Sequence, residues 1–597
     1  MSHLVALSVG PVQEFIAAAR RTRDLFAGSR LLSDLCKAAA LGMQDAGADL
    51  VFPSRDADVS SGSSLLVANI ILAEVSSGAS PEAVLAAGKK AVNRHWLEVA
   101  ATVRSSLTPG QVIRTDVWDQ QVDDVLELFG AWVGQEPSSS PGRTAYQKAR
   151  DQLMRLMAGR KALRNFLPSP AFPGLPKSSL DGQRDTVLEK DRRPWPAKVR
   201  WNLRLKPGEQ LDSVGVIKRA HGGKIQFPSV SRIAADAWLR GIKDEHLPHL
   251  RNLCDVCDQG MRDQSLDITR LTDHQFSRFN RFPYEGSALY ATRHSEFTQG
   301  YETVTEPVAA AVRDLKATLK PLIHAYGEPD PYVAVLVADG DKMGEALAGI
   351  TDAQGHRLFS SQLAAFAGNA KRIVEEHQGS LVYSGGDDVL AILPVDQCLP
   401  CARELAADFK RQLQGAVILG TPVPTLSVGI AIAHSMEDLE DLLNYGRTAE
   451  KNAKNPRKGE GDKRNGLAVH VHKRGGGPVR VRANWNLATT EESLDTILEN
   501  IADLINGHDL PSRFASELQV LARQYHRWPE DENTRLAIQK DTLRVLKRKQ
   551  GGAANNAHLQ GYIAELTDSD SIQRWAERIL VARQIAVGKR MADGVNQ

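Results

Sequence analysis

Two short acidic segments in the second half of the chain each follow an apolar run. The first is Asp339-Gly340-Asp341 and the second is Gly385-Gly386-Asp387-Asp388. Carboxylate oxygens are the ligands that Mg²⁺ and Mn²⁺ prefer, and a pair of such ions can stabilise the attacking and leaving oxygens of a phosphoryl transfer. The pattern indicates a two-metal nucleotide site with metal ligands Asp339, Asp341, Asp387 and Asp388, of which Asp387 and Asp388 are the catalytic pair; Asp341 is either a second ligand or a turn carboxylate. Gly and Asp are also common turn residues, so the second segment taken alone is more typical of a plain hairpin turn.

The elements around these segments favour the site over the plain turn. Apolar residues 332–337 predict a strand that ends at Asp339, and residues 381–383 and 389–393 predict a hairpin around the Gly-Gly turn. A helix is predicted over 402–413, followed by a strand over 425–433, a helix containing 449–454 and a strand over 467–471. This order of strands and helices is that of a ferredoxin-like palm.

Residues 332–471 resemble the nucleotidyl-cyclase palm of GGDEF diguanylate cyclases and of the large subunits of type III CRISPR effector complexes. The Asp-Asp pair at 387–388 favours the CRISPR subunits, because diguanylate cyclases carry an acidic residue followed by Glu-Phe there. Four further segments closely resemble the type III-B (Cmr) large subunit; they are residues 8–16, 20–29, 214–219 and 227–234.

The resemblance implies an α+β fold with two ferredoxin-like nucleotidyl-cyclase palm domains, a helical middle domain and a helical C-terminal domain. The expected boundaries are 1–205 for a degenerate first palm, 206–325 for the middle domain, 326–475 for the catalytic second palm and 485–597 for the C-terminal helices. The first predicted strand ends in Ser8 and Gly10, so the first palm lacks the carboxylates that a metal site needs.

The resemblance also implies an activity: metal-dependent conversion of ATP into cyclic oligoadenylates, switched on when the complex and its CRISPR guide RNA capture a target RNA. Mg²⁺ or Mn²⁺ would be the cofactor, ATP the substrate, and the other subunits of the type III-B complex the partners. The residues expected to contact the nucleotide are Gly340, Ser384, Gly385, Gly386, Lys451 and Lys454. A catalytically inactive scaffold subunit and a free-standing GGDEF-like cyclase are the alternatives.

The middle region contains Cys254 and Cys257, a Cys-x-x-Cys pair that forms half of a zinc site. Relatives complete such a site with a second pair, which this chain lacks, so Zn²⁺ binding rests on two ligands. Many relatives also begin with an HD-type nuclease domain. Here the lone His508-Asp509 dipeptide has no accompanying histidine cluster, and we expect no DNase activity.

The composition is that of an ordinary globular protein, with 42% hydrophobic and 24% charged residues and five cysteines. No apolar run predicts a membrane span, and we expect a cytoplasmic protein with no membrane partner. The net charge of +2 supplies little overall attraction for RNA, so RNA contact would need local basic patches. One such stretch, residues 143–165, predicts a basic amphipathic helix that contacts RNA or forms a solvated surface.

Overall fold

The computed structural model describes most of the chain. The described residues are 2–54, 69–107, 112–136, 143–163, 172–190, 195–196, 199, 203–206, 208–222, 226–272, 274–298, 304–415, 423–457, 462–485, 492–511, 513–549 and 556–595. The apolar residues 51–53 and 65–75 also predict a hairpin in the first palm, of which residues 65–68 lie outside the described residues.

The first palm is a four-stranded antiparallel sheet with helices on both faces. Its strand order is β2-β3-β1-β4, the order of a ferredoxin-like sheet, and β1 pairs with both β3 and β4. The strands are β1 (His3–Gly10), β2 (Ala48–Phe52), β3 (Ile70–Val75) and β4 (Glu127–Gly134). The helices are α1 (Gln13–Ala17), α2 (Thr22–Asp45), α3 (Pro81–Leu107), α4 (Thr115–Asp123) and α5 (Ala145–Ala162).

The second palm repeats this order and extends it. Its six-stranded sheet runs β10-β9-β8-β5-β7-β6, in which β8-β5-β7-β6 is the ferredoxin-like unit and β9 lies parallel to β8. The strands are β5 (Tyr332–Asp341), β6 (Ser380–Ser384), β7 (Val389–Leu393), β8 (Thr425–His434), β9 (Gly466–Val471) and β10 (Val479–Asn484). The sequence prediction of an α+β fold with two palms is confirmed.

The remaining helices form the middle region and the C-terminal region and complete the second palm. In the middle region they are α6 (Ser213–Gly222), α7 (Val230–Ala234), α8 (Asp236–Gly241), α9 (Leu247–Arg262) and α10 (Glu306–Tyr326). The second palm contains α11 (Met343–Gly349), α12 (Ala353–Glu376), α13 (Cys398–Leu413) and α14 (Leu439–Lys454). The C-terminal helices are α15 (Leu494–Asn506), α16 (Phe514–Gln524), α17 (Glu532–Lys549), α18 (Ala557–Ala564) and α19 (Ser569–Ala592).

Strand β5 lies at the centre of the second palm and contributes to two separate cores. Side chains alternate between the two faces of a strand. Val333 and Val335 therefore pack with first-palm residues, while Leu336 and Ala338 pack with α12, α13 and the C-terminal helices. Such two-sided burial explains the nearly continuous apolar run before Asp339.

One local feature differs from the sequence prediction. Pro11 is typical of a helix start and predicts a single helix through Arg23, but α1 ends at Ala17 and α2 begins at Thr22. In addition, α6 packs on α2 although it lies beyond the expected boundary at 205. The buried Arg219 of α6 pairs with Asp24 at 2.7 Å and with Glu209 at 3.1 Å, which fixes α6 to the first palm.

None of the helices in the described part of the chain combines the length and the apolar character needed to cross a bilayer.

Candidate active site

The two acidic segments lie side by side because their strands are neighbours. Antiparallel pairing of β5 with β7 reaches Ala338 opposite Val389. Continuing that register by one residue places Asp339 beside Asp388. The next step places Gly340 beside Asp387, and a Cβ atom added to Gly340 would lie 2.8 Å from the Asp387 Cβ and 3.0 Å from its Oδ2. The absence of a side chain at Gly340 thus admits the Asp387 carboxylate against the strand end.

The turn between β6 and β7 has the predicted hairpin geometry. The Gly385 amide donates to the Asp388 carbonyl at 3.0 Å and closes the turn. Gly386 has a φ of +88°, a conformation that side chains of L-residues disfavour. Gly385 is restricted differently: an added Cβ would lie 1.7 Å from the hydroxyl oxygen of Tyr383. The turn therefore presents Asp387 and Asp388 while Tyr383 packs over its first glycine.

The Asp387 and Asp388 carboxyls resist ionisation. The pKa of Asp387 is raised to about 7, first by burial and then by the charge of the neighbouring Asp388 carboxylate. The side chain of Asp388 reaches solvent, yet the surrounding protein still raises its pKa to about 6 because it displaces water. A nearby cation would favour the charged form of both groups.

Asp341 has a different environment from the one expected of a metal ligand. One of its oxygens accepts from the Ser427 hydroxyl at 2.9 Å, and the other accepts from Thr425 at 2.9 Å and from the Asn465 amide at 2.9 Å. The residue is 2% exposed. These bonds satisfy both oxygens and join β5 to β8 and to the segment before β9. They fit a structural carboxylate, while the role of Asp341 as a metal ligand stays a prediction.

Lys454, predicted to bind phosphate, extends from the last turn of α14 to the acidic strand end. Its ammonium group pairs with Asp339 and lies 3.2 Å from Glu450 Oε1. Burial lowers the pKa of Lys454 to about 8, with Arg464 contributing in the same direction. A lysine in this position neutralises part of the carboxylate cluster and can donate to an anionic ligand.

Glu450 is a site residue that the sequence prediction missed. Its pKa is raised to about 7, first by burial and then by the charges of Asp388 and Asp341. Helix α14 approaches β8 so closely that a Cβ on Gly429 would lie 2.0 Å from the Glu450 amide nitrogen. The spacing in the sequence could have indicated Glu450. It lies four residues before Lys454, and residues four apart share one face of a helix.

Two other predicted nucleotide contacts occupy different surroundings. Lys451 is exposed on α14, close to one turn from Lys454. Ser384 is 1% exposed at the end of β6, and its hydroxyl lacks a hydrogen-bond partner within the described residues. Both remain predictions as nucleotide contacts.

The donor set suits a hard divalent cation, although no preformed metal centre is present. Asp339, Asp387 and Asp388 supply carboxylate oxygens at the same end of the sheet. The pKa values of Asp387 and Asp388 are raised, so a bound cation would stabilise their ionised forms. Over the parts of the chain that the structure describes, no three His, Cys, Asp or Glu side chains are arranged to hold a metal. Metal binding would therefore require these side chains to move together.

Cys254 and Cys257 do not fit a zinc site in this structure. Both lie on α9, and the Cys254 thiol faces the Arg281 carbonyl at 3.7 Å. Burial raises the pKa of Cys254 to about 12 and that of Cys257 well above its usual value, so both favour the thiol over the zinc-binding thiolate. No third ligand accompanies them among the described residues.

Comparison with known proteins agrees with the geometry. Residues 332–468 match the family description "Cas10/Cmr2, second palm domain", and residues 4–102 match "CRISPR-associated protein Cmr2, N-terminal". The chain is 34% identical over 209 residues to the CRISPR system Cmr subunit Cmr2 of Pyrococcus furiosus. That match covers 30% of this chain and 23% of the length of the relative.

The fold is similar to that of a solved type III-B complex subunit. A chain of the cryo-EM structure of type III-B Cmr-beta in the apo state has a TM-score of 0.63 at 13% identity, covering 92% of this chain and 77% of that one. A chain of Cmr-beta bound to cognate target RNA has a TM-score of 0.59 at 13% identity, with 92% and 78% covered.

Two palms with a GGDD turn on the second define a protein with a nucleotidyltransferase-like fold. Within that class, the matches of residues 4–102 and 332–468 and the partial similarity to Cmr2 support a type III-B Cas10/Cmr2 protein.

Proposed function

We propose that this protein is the catalytic large subunit of a type III-B CRISPR effector complex and converts ATP into cyclic oligoadenylates when the complex holds target RNA. Its partners would be the other subunits, the guide RNA and the target RNA. The observation that carries the proposal is the convergence of Asp339, Asp387 and Asp388 at one sheet edge beside Lys454.

The residues of the site have separable roles in this reaction. A 3′-hydroxyl of one ATP attacks the α-phosphate of another, which forms a 3′–5′ phosphodiester and releases pyrophosphate. Asp339, Asp387 and Asp388 would hold Mg²⁺ or Mn²⁺, which when bound neutralises phosphate charge and makes the attacking hydroxyl more acidic. Lys454 donates to the triphosphate, and Glu450 orients the Lys454 ammonium group. Gly386, which has no atom within 4 Å of an added Cβ, leaves space for the nucleotide beside the carboxylates.

Positioning and charge stabilisation account for catalysis in this scheme. Two nucleotides held in reacting geometry turn a bimolecular step into a unimolecular one. Strands and a helix hold the backbones of the carboxylates and of Lys454. The side-chain movement that metal binding requires would therefore precede the reaction, and little further reorganisation would accompany the charge that develops on the phosphate.

The proposal is tested by incubating the assembled complex with labelled ATP and Mg²⁺ or Mn²⁺, with and without target RNA, and resolving the products by mass spectrometry. We expect cyclic adenylates only with target RNA. The combined change Asp387→Ala and Asp388→Ala should abolish synthesis while RNA binding persists. Asp441→Ala, which removes an exposed carboxylate of α14 outside the cluster, is the matched control and should retain synthesis.

Other outcomes assign other functions. Retained synthesis in the double variant would place the active site elsewhere. Loss of RNA binding together with synthesis would make the carboxylates structural. If the unmodified complex forms no product with either metal, the proposal fails in favour of a scaffold subunit or of a reaction with a second acceptor.

A further inference from the structure

Helix α11 follows directly on the acidic end of β5 and packs on the main core through three side chains. Ala346 is buried there, and Met343 and Leu347 are partly buried against the same core. Lys342, which connects α11 to Asp341, has a φ of +58°. A non-glycine residue keeps such a conformation only when its surroundings hold it there. Contacts at the ends of this short helix therefore act together with its core packing to fix its position.

Helix α5 of the first palm supplies those contacts at the C-terminal end of α11. Arg150 donates to the Leu347 carbonyl, and Gln147 Nε2 donates to the Ala348 carbonyl at 3.1 Å. The Thr144 hydroxyl donates to the Thr351 carbonyl at 2.6 Å. The last carbonyls of a helix lack partners within that helix, and a cation there is favourable to the helix dipole. Side chains of one palm thus complete a helix of the other.

The same side chains also begin α5. The Thr144 hydroxyl accepts from the Gln147 amide at 3.2 Å, and the Gln147 side-chain oxygen accepts from the Thr144 amide at 3.0 Å. This reciprocal pair is a capping box. The start of α5 and the end of α11 are consequently one hydrogen-bonded unit. Tyr146, whose hydroxyl contacts His356 Nδ1 at 2.8 Å, extends the unit to α12.

Arg150 is buried in this unit, although the sequence places it in a basic stretch expected to be a solvated surface or an RNA contact. At the opposite end of α11, Met343 reaches the site: its Cγ lies 2.9 Å from where a Cβ on Gly340 would be. Helix α11 thus links the Leu347 carbonyl at one end to the backbone beside the carboxylates at the other.

We propose that Thr144, Gln147 and Arg150 are positioning residues for the active site of the second palm. They hold the end of α11, and through it the Lys342-Met343 segment beside Gly340 and Asp387. The part of this inference that concerns ATP rests on the proposed function, whereas the part that concerns α11 stands on the contacts alone.

The first test measures hydrogen exchange by mass spectrometry in the full chain without ATP. Arg150→Met removes the charged donor and keeps the length of the side chain. We expect exchange in 342–351 to become about tenfold faster, as the loss of one charge-assisted hydrogen bond predicts. Exchange in 380–393 should be unchanged. Arg155→Met, on the exposed face of α5, is the matched control and should leave both segments unchanged.

Unchanged exchange in 342–351, or an equal increase in the Arg155→Met control, would overturn the proposal. If Arg150→Met fails to fold, Gln147→Ala replaces it. That change removes the neutral donor to Ala348 and should speed exchange in the same segment by a smaller factor.

The second test separates positioning from general destabilisation in the assembled complex. A misplaced Lys342-Met343 segment should raise the KM for ATP several-fold in Arg150→Met, about three- to tenfold. Arg150→Lys, which keeps a cation at the end of α11, should recover most of that loss. If Arg150 were purely structural, Arg150→Met would lower the apparent kcat in proportion to the fraction of folded protein and leave KM unchanged. That result would contradict the proposal. If the unmodified complex makes no product, the proposed function fails while the exchange experiment still decides the role of α5.

Discussion

The two glycines of the catalytic turn satisfy different physical requirements. Gly386 has a positive φ and no atom within 4 Å of an added Cβ, so its backbone conformation is what favours glycine. At Gly385 the limiting factor is space, because the Tyr383 hydroxyl occupies the position of a side chain. Sequence reasoning predicted a Gly-Gly turn from the flanking strands, but it did not identify Tyr383, since that contact depends on how the ring folds over the turn.

This difference predicts distinct stability effects at the two positions. Gly386→Ala should cost about 1–2 kcal/mol in the free energy of unfolding, and Gly386→Asn less, because Asn tolerates the left-handed region better. Gly385→Ala should cost about 2–3 kcal/mol through overpacking against Tyr383. Adding Tyr383→Ala should recover part of the Gly385→Ala loss and none of the Gly386→Ala loss. Urea unfolding of the four variants measures this, and equal recovery at both positions would contradict it.

The Asp387 carboxyl also predicts a pH dependence of stability in metal-free buffer. Folding raises the pKa of Asp387 from 3.8 to about 7, so the folded state holds its proton more tightly than the unfolded state. Stability is therefore unaffected below the unfolded pKa and falls as the pH rises from about 4 to about 7. Asp387→Asn should remove this loss and stabilise the protein by about 1–2 kcal/mol near pH 7.5, after allowance for solvent screening.

Thermal unfolding in the presence of a chelator, at several pH values, checks the sign. The advantage of Asp387→Asn should shrink towards pH 4.5, where the unmodified carboxyl is protonated in both states. An advantage that does not change with pH would show that packing, rather than ionisation, separates the two proteins.

At the scale of elements, alternation and turn chemistry were sufficient to predict β5, the β6–β7 hairpin, β8 and β9. These signals are local, so they also located Asp339, Asp387 and Asp388. The position of α14 over β8 could not be predicted, because it depends on the close approach at Gly429, and Glu450 was missed for that reason. The hydrogen bonds of Asp341 could not be predicted either, because the three donors lie in β8 and in the segment before β9, far away in sequence.

Because α14 approaches β8 so closely, a substitution at Gly429 should strongly destabilise the protein. In Gly429→Ala, the new Cβ meets backbone atoms of Ala449 and Glu450, which cannot rotate away. We expect a loss of about 3 kcal/mol and displacement of the helix that carries Lys454. Gly446→Ala is the matched control on α14, since its nearest neighbours are methyl groups of Val337 and Val335, and it should cost less. Urea unfolding compares the two, and equal losses would refute the role given to the backbone contact.

At the scale of the whole molecule, the second palm is joined to its neighbours by shared cores. Val333, Val335 and Ile392 pack in one cluster with Leu32 and Leu35 of α2. The opposite face of the same sheet packs in another cluster with C-terminal helices α15 to α19. Arg357 of α12 adds polar contacts to the first palm, with Asp49 at 2.7 Å and Glu74 at 3.0 Å. Each of these two hydrophobic cores therefore contains residues from more than one of the domains predicted from the sequence.

Shared cores predict that the catalytic palm does not fold as an independent unit. Residues 328–597 produced without the first palm would expose Val333, Val335, Val382 and Ile392 to water, and each buried side chain of this size contributes about 1.5–3 kcal/mol to folding. We expect this fragment to bind the dye ANS and to lose its near-ultraviolet circular dichroism while it keeps helical signal, as loosely packed states do. The full chain should instead show one calorimetric transition for both palms. A fragment that melts cooperatively and excludes the dye would contradict this prediction. It would show that the core shared with the first palm is not needed to hold Asp339 and Asp388 together.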